Sequence, residues 1–213
     1  MKHVAIIGIG MGLDTVTGEG LRAIEQAEAL FGSPRMLAAF PNADRPAYPV
    51  YEPGRVKEMV QQSVFERFVV LVSGDTGFFS AAEGLIPALS EHEVRLVPGI
   101  SSVSAFFAKI KRPWQDAALL SCHGREANFV DTVRRNRLTF ALTGGNANAL
   151  ADELVKTGFN GLSATVGENL GMKNERIFTL PISELAQAPV GRLAVLLVEN
   201  PSSDARIRFG AGV

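Results

Sequence analysis

Residues 70–79, VLVSGDTGFF, and residues 97–102, VPGISS, are the stretches from which the rest of the sequence is best interpreted. Each is an apolar run that ends abruptly in glycine and small hydroxyl residues. A buried strand typically meets its loop in this way where the backbone must approach a ligand closely. Because the two stretches are close in sequence, we expect them to line one crevice.

Strand-like and helix-like patterns alternate outward from these stretches. The run from His3 to Ile9 is apolar and β-branched, and the first helix is expected after Thr17. This alternation predicts a parallel sheet wrapped by helices, with ligands beyond the carboxyl ends of the strands. The segment KIKRPW at 109–114 interrupts the pattern, and strands then outnumber helices. We therefore predict an α/β protein with a parallel-sheet domain at 1–111 and a mixed-sheet domain at 112–213.

Composition excludes several classes of function. The chain has 213 residues, of which 46% are hydrophobic, and 21 Lys and Arg against 22 Asp and Glu give a formal net charge of -1. Near-neutrality gives no global electrostatic case for a nucleic-acid partner. The single cysteine, Cys122, excludes an internal disulfide and a cysteine metal site, so no metal is expected and a reducing cytoplasm fits best. No run approaches 18 apolar residues, so no membrane contact is expected.

The loop GIGMG at residues 8–12 invites a dinucleotide-binding interpretation that its spacing does not support. The third glycine of GxGxxG would fall on Leu13 when counted from Gly8, or on Thr15 when counted from Gly10. The expected helix also begins too late to present its N-terminus to a pyrophosphate. A tight turn is the simpler interpretation.

The polar residues at the strand ends have both structural and functional interpretations. Asp75 is either a turn or N-cap residue, or a carboxylate that binds a ligand's hydroxyl or amine beside Phe78 and Phe79. Ser101 and Ser102 are either N-caps or ligand-facing hydroxyls. The same two interpretations apply to the glycine loop after Thr143, so local sequence alone leaves the choice open.

A second group of candidates follows the strand that begins the second domain. His123 is either a local hydrogen-bonding residue or a catalyst. Arg125, two residues later, favours anion recognition because a guanidinium fork matches carboxylates. We expect Cys122 to be an inert buried thiol, since the preceding strand is apolar.

Six segments occur in a fixed order along the chain: GIGMG, SGDTGFF, VPGISS, ALTGGN, TVGENLG and LLVEN. Because these segments occur together and in this order, the sequence resembles the tetrapyrrole methylase family of S-adenosylmethionine-dependent methyltransferases. SGDTGFFSAA, PWQDA and the SxHGR pattern at 121–125 are similar to the members that methylate C5 of a cobalt-precorrin (precorrin-6Y) in cobalamin biosynthesis. The chain resembles their stand-alone form, without a fused C15-methylating domain.

The resemblance implies two α/β domains with S-adenosylmethionine in the cleft between them, and a homodimer. It also implies which residues form the site. The cofactor contacts would be Met11, Asp75, Phe78, Ser101, Ser102, Thr143, Val166 and Gly167. The substrate's carboxylates are expected to bind Arg35 and Arg125. Glu168, His123 or Asp75 would assist a proton shift.

Three alternatives stay open at this point. Another tetrapyrrole methylase would act on a different ring carbon, and a methyltransferase for diphthine or ribosomal RNA would share the fold. A nucleotide-binding sensor without catalysis would explain the glycine loops only. Thr76 replaces the proline that many family members have after the aspartate, which leaves details of substrate contact open. The resemblance also allows a separate C15-methylating, decarboxylating partner enzyme.

Overall fold

The computed structural model describes residues 1–41, 45–123 and 128–203. Its contacts divide the chain into two compact units, Met1–Ser102 and Val103–Val213. Each unit contains one five-stranded sheet. The contact-based division falls at the start of the helix Ser102–Lys109, whereas the sequence places a boundary after that helix; the domain limits 1–111 and 112–213 stay a prediction.

The first unit is built on a parallel sheet, as the sequence predicts. Its strands lie in the order β3-β2-β4-β1-β5, and every pairing is parallel. The strands are β1 His3–Gly8, β2 Ala29–Phe31, β3 Ala47–Tyr48, β4 Arg67–Val72 and β5 Glu93–Val97. The proline-rich sequence from Pro41 to Pro53 predicts a surface loop. The structure differs there, because tertiary pairing with β2 makes the short β3 a strand.

Four helices of the first unit cover the sheet: α1 Gly18–Gln26, α2 Pro34–Ala38, α3 Pro53–Gln62 and α4 Ala82–Ala88. The Thr17 hydroxyl caps α1 by accepting the Gly20 N–H at 3.1 Å, so the first helix does begin after the glycine loop. The sequence pattern predicts a helix from Phe78 to Leu89 after the strand that ends in SGDTG, but α4 begins only at Ala82. Phe79 has a left-handed φ of 47°, which a right-handed helix cannot contain. Phe78 and Phe79 therefore remain in the loop after β4.

Both faces of the central strands β1, β2 and β4 are buried, whereas Arg95 and Leu96 of the edge strand β5 are exposed. Ile6 and Val70 pack with Leu85 of α4 on one face, while Ile7 and Leu71 pack on the other. Strands buried on both faces appear in sequence as continuous apolar runs, as they do here. The rigid sheet fixes the loops that leave its carboxyl edge.

The second unit has the mixed sheet that the sequence predicts. Its strands lie in the order β6-β7-β10-β8-β9, with β6 and β7 parallel and the other pairings antiparallel. The strands are β6 Ala117–Ser121, β7 Leu138–Leu142, β8 Ser163–Glu168, β9 Arg176–Pro181 and β10 Ala194–Glu199. The helices are α5 Ser102–Lys109, α6 Phe129–Arg135, α7 Ala147–Lys156 and α8 Ile182–Leu185.

Helix α5 packs against this second sheet through aromatic rings. Phe106 and Phe107 lie 5.7 and 5.8 Å, centroid to centroid, from Phe140 of β7. All three side chains are fully buried. Within the described ranges, no helix combines the length and apolar character that crossing a bilayer requires.

His92, in the turn between α4 and β5, is an ionisable residue outside the candidate site. Both of its ring nitrogens are buried and have no hydrogen-bond partner among the described residues. Burial lowers the pKa of His92 below its ordinary value of 6.5; Glu91 opposes this shift, and the positive charge of Lys2 adds to it. The folded state therefore favours the neutral ring.

We expect the free energy of unfolding to decrease as the pH falls below 6.5 towards the lowered pKa of His92. In that window the unfolded chain binds a proton that the folded chain does not. Urea unfolding at pH 7.5 and pH 5.5 should show a smaller pH effect for His92→Leu than for the parent chain. Glu28 and Glu91 have lowered pKa values, so their stabilising contributions are lost only below 4.5. An equal pH effect in both proteins would contradict this assignment.

Candidate functional site

The first-unit candidates lie at one edge of the parallel sheet. The loops after β1, β2, β4 and β5 all leave from the carboxyl ends of parallel strands. This edge is where open α/β sheets bind ligands. It carries Met11 after β1, Arg35 after β2, Asp75 after β4 and Ser101 after β5.

Three of these loops touch through glycines, which we call the glycine junction: Gly8, Gly10, Gly74 and Gly99. Gly10 and Gly74 exchange two backbone hydrogen bonds of 3.0 Å. A Cβ on Gly99 would lie only 2.3 Å from the carbonyl oxygens of Gly8 and Gly74. The backbones thus meet at distances that no side chain permits, and this contact explains why glycine-ended strands surround the site.

Asp75 joins two loops of the junction. Its Oδ1 accepts the Gly77 N–H at 2.8 Å, and its Oδ2 accepts the Gly99 N–H at 3.1 Å. The structural and functional interpretations of Asp75 are therefore compatible: it makes a turn and also fixes the neighbouring loop. An ionised carboxylate has about four acceptor sites, so acceptor capacity remains for a ligand.

Thr15 is a site-forming residue that sequence reasoning missed. Its hydroxyl accepts the N–H groups of Met11 at 2.7 Å and Gly12 at 3.1 Å, and donates to the Gly12 carbonyl at 2.8 Å. The loop amides that a pyrophosphate would need are thus bonded within the loop. A threonine soon after a glycine run, able to bond nearby backbone, was the available signal.

The remaining first-unit candidates surround Gly74 or follow it. The Met11 methyl carbon and the Ser101 Cα would each lie 3.9 Å from a Cβ placed on Gly74. Ser101 is buried, and Ser102 is the first residue of α5. Phe78 packs edge-to-face on Phe79 with centroids 5.0 Å apart, forming an aromatic pair in the same loop as Asp75.

Of the two predicted substrate-binding arginines, Arg35 and Arg125, the structure describes Arg35. Arg35 is exposed on α2, just past the carboxyl end of β2. No described residue forms an ion pair with it. Arg125 lies outside the described residues.

The second unit also gathers its candidates at one sheet edge. Strands β6, β7 and β8 run in the same direction, and the antiparallel β10 starts where they end. His123, Thr143, Glu168 and Arg192 therefore lie along this edge. Within the described ranges, no three His, Cys, Asp or Glu side chains group so as to hold a metal ion.

The side chains of Thr143 and Val166, and the place where a side chain on Gly167 would lie, are in the protein interior. The Thr143 hydroxyl is fully buried, donates to the Ala194 carbonyl at 2.8 Å and accepts the Gly145 N–H at 3.3 Å. Val166 is fully buried in the core. A Cβ on Gly167 would lie 2.6 Å from the Phe106 ring. Such positions can reach a ligand only through main-chain atoms.

His123 is exposed in the loop that follows β6, next to the loop that follows β7. A Cβ on Gly144, whose φ is 61°, would lie 2.8 Å from the His123 Cα, so the two loops are in direct contact. Burial raises the pKa of the neighbouring Cys122 thiol above its ordinary value of 9.0, and the negative charge of Glu153 raises it further. The thiol therefore stays protonated at neutral pH.

Glu168, a candidate for proton transfer, is held by its neighbours. Its side chain is 2% exposed. Oε2 accepts a hydrogen bond from Arg176 Nε at 2.7 Å and lies 2.5 Å from Arg176 Nη2 in an ion pair, and Oε1 accepts the Gly191 N–H at 2.5 Å. The carboxylate is thus held by one arginine and one backbone donor. This geometry suits a structural anchor better than a proton carrier.

Comparison with known proteins finds a family model and several relatives that match most of this chain. A model of the tetrapyrrole (corrin/porphyrin) methylases matches residues 3–186. The cobalt-precorrin-7 C(5)-methyltransferase of Salmonella typhimurium is 31% identical over 183 residues, covering 84% of this chain and 91% of the relative.

A relative from Sinorhizobium, the decarboxylating precorrin-6Y C(5,15)-methyltransferase, is 32% identical over 90% of this chain. The match covers 48% of that longer protein. Among solved structures, the uroporphyrin-III C-methyltransferase of Thermus thermophilus, complexed with S-adenosyl homocysteine, superposes with a TM-score of 0.74 at 19% identity, covering 93% of this chain and 97% of that one. This likeness supports the fold.

Proposed function

The chain belongs to the tetrapyrrole (corrin/porphyrin) methylases, and we propose that it transfers the methyl group of S-adenosylmethionine to C5 of a cobalt-precorrin in cobalamin biosynthesis. The observation that carries the proposal is the 31% identity to the Salmonella C5-methyltransferase over 84% of the chain. Enzymes acting on another ring carbon, on diphthine or on ribosomal RNA are not favoured, and neither is a sensor without catalysis.

The carboxyl edge of the first sheet offers the proposed cofactor a rigid support, because the N–H groups of its loops are bonded within the site: those of Gly10 and Gly74 to each other, and that of Gly99 to Asp75. At the glycine junction, missing side chains leave main-chain groups of three loops close together, with Met11, Asp75, Phe78 and Ser101 beside them. S-adenosylmethionine supplies a methyl group on a positively charged sulfur. The chain's own contribution is alignment and exclusion of water, which needs rigid loops more than acid or base residues. The proposed second-unit contacts are Thr143, Val166 and Gly167, through main-chain atoms.

A proton must still leave the methylated substrate, and the geometry favours one candidate. His123 is exposed at the edge of the second sheet, and an imidazole nitrogen is the side-chain group that most often accepts a proton in catalysis. The Glu168 carboxylate is bonded to Arg176 and Gly191, while Asp75 is bonded to two backbone amides. We assign His123 as the proton acceptor within the proposal.

Recognition of the substrate's carboxylates would fall to two arginines, of which Arg35 is exposed. Arg35 has no ion-pair partner among the described residues, and Arg125 remains proposed from its place in the SxHGR pattern. The proposal also includes a homodimer. The fused relative from Sinorhizobium supports a separate C15-methylating, decarboxylating enzyme as a partner of this chain.

Incubation with carbon-13-methyl S-adenosylmethionine and cobalt-precorrin-7 tests the function. We expect the product to carry one additional methyl group, whose protons correlate with C5 in a long-range proton–carbon NMR spectrum. S-adenosylhomocysteine should inhibit the reaction. A methyl group on another ring carbon would contradict the C5 assignment. Failure to bind S-adenosylhomocysteine by calorimetry would contradict the methyltransferase activity itself.

A further inference from the structure

Arg192 occupies a fixed position at the edge of the second sheet, just before β10. On one side, the preceding residue Gly191 donates its N–H to the buried carboxylate of Glu168 at 2.5 Å. On the other side, a Cβ on Gly145 would lie 3.6 Å from the Arg192 carbonyl oxygen and 3.7 Å from its Nε. The glycine loop after β7 thus packs directly against the arginine, and Glu168 anchors its backbone.

The charge of Arg192 is uncompensated within the described ranges. Several other cations of this unit are paired, among them Arg176 with Glu168, Lys109 with Glu175 at 2.8 Å, and Arg112 with Glu199 at 2.8 Å. Lys111, Arg137 and Lys173 share with Arg192 the lack of an ion pair to a described residue. Arg192 is exposed and forms no ion pair with a described residue. Because a guanidinium stays protonated, this edge carries a permanent positive charge.

The surroundings of Arg192 leave its guanidinium accessible. Gly145 has no side chain to cover it, and Gly144 contacts His123 on the far side of the same loop. Arg192 and His123 therefore flank a loop of two bare glycines at the ligand-facing edge of the sheet. A planar fork of N–H donors in such a place matches a carboxylate with two parallel hydrogen bonds.

We propose that Arg192, positioned by Glu168, binds a carboxylate group of a ligand at this edge. The inference rests on the proposed function, which offers two sources of that group: an acidic side chain of the tetrapyrrole, or the amino-acid part of the cofactor. Glu168 then serves as the positioning residue for a binding arginine.

The test compares Arg192→Gln, which removes the charge, with Arg192→Lys, which keeps it but loses the fork. Arg135→Gln is the matched control, because Arg135 is an exposed arginine of the same unit, 74% exposed and paired with Asp131. It ends α6 shortly before β7 begins, so it lies at the opposite edge of the sheet. Dissociation constants are measured for cobalt-precorrin-7 without turnover, for S-adenosylhomocysteine, and for 5′-methylthioadenosine, which has no carboxylate.

Arg192→Gln is expected to lower the affinity for one of the two carboxylate ligands roughly tenfold or more. Arg192→Lys should lower it by an intermediate amount, and Arg135→Gln should leave it unchanged. A weaker tetrapyrrole complex identifies the substrate as the source. A weaker S-adenosylhomocysteine complex with unchanged 5′-methylthioadenosine affinity identifies the cofactor. Unchanged affinity for both carboxylate ligands overturns the inference, as does equal loss of 5′-methylthioadenosine binding.

These measurements separate the inference from the proposed function. Equilibrium binding does not depend on where a methyl group is placed, so the arginine can be tested even if the C5 product is absent. A parent chain that methylates C5, with an Arg192→Gln variant that binds both ligands normally, would refute the role of Arg192 alone.

Discussion

Gly99→Ala is expected to weaken S-adenosylhomocysteine binding by roughly 100-fold, equivalent to about 2.7 kcal/mol. The added methyl group would lie 2.3 Å from two backbone carbonyl oxygens, those of Gly8 and Gly74. Backbone cannot move aside as a flexible side chain can, so the loops after β1, β4 and β5 must separate. Isothermal calorimetry measures the affinity, and urea unfolding should show a loss of about 1–3 kcal/mol typical of overpacking.

The matched control for this substitution is Gly54→Ala. Gly54 is in the first turn of α3, and a Cβ there meets nothing within 4 Å. Alanine is favoured over glycine in helices, so stability should rise by up to about 1 kcal/mol. Its affinity for S-adenosylhomocysteine should equal that of the parent chain. Normal affinity in Gly99→Ala would show that the glycine junction does not shape the site.

Asp75→Ala is expected to lower the affinity for S-adenosylhomocysteine by roughly 10- to 100-fold. The substitution removes the acceptor of the Gly77 and Gly99 N–H groups, which joins the loop after β4 to the loop after β5. Asp75→Asn can keep the Gly77 bond through its amide oxygen, but its N–H₂ group then faces the Gly99 N–H. We expect an intermediate loss for Asn, measured by calorimetry.

Asp152→Asn is the control for the aspartate variants. Asp152 is a partly exposed residue of α7 that pairs only with Lys156, at 2.6 Å, among the ion pairs of the described residues. Its replacement should leave ligand affinity unchanged. If Asp75→Ala bound S-adenosylhomocysteine as tightly as this control does, neither loop fixation nor direct contact by Asp75 would matter for the cofactor.

The sequence predicted the architecture because apolar runs record burial directly. The runs from Val70 to Val72 and from Ala194 to Val198 are continuously buried, as their apolar sequences predict. The helix start was misplaced at Phe78 because periodicity does not register the left-handed backbone of Phe79. The short strand Ala47–Tyr48 was missed because only its partner β2 makes it a strand.

The sequence predicted which loops form the candidate site but missed several of the hydrogen bonds within it. Glycine-ended strands predicted which loops gather, and those loops do gather. The sequence did not reveal that Thr15 occupies the loop amides, since a hydroxyl's partner depends on the turn it sits in. It also did not reveal that Glu168 is bonded to Arg176, since residues eight apart meet only through the pairing of β8 with β9.

The pairing of β1 has a consequence for the order in which the chain acquires its structure. His3 pairs with Arg67 on one side and with Glu93 on the other, so the first strand made is completed by strands that follow much later. Contacts so distant in sequence require costly loop closure and form slowly. The glycine junction, which needs Gly8, Gly74 and Gly99 together, can therefore form only after β5 has been synthesised. Until then, the apolar edges of β1 are open to mispairing with other chains.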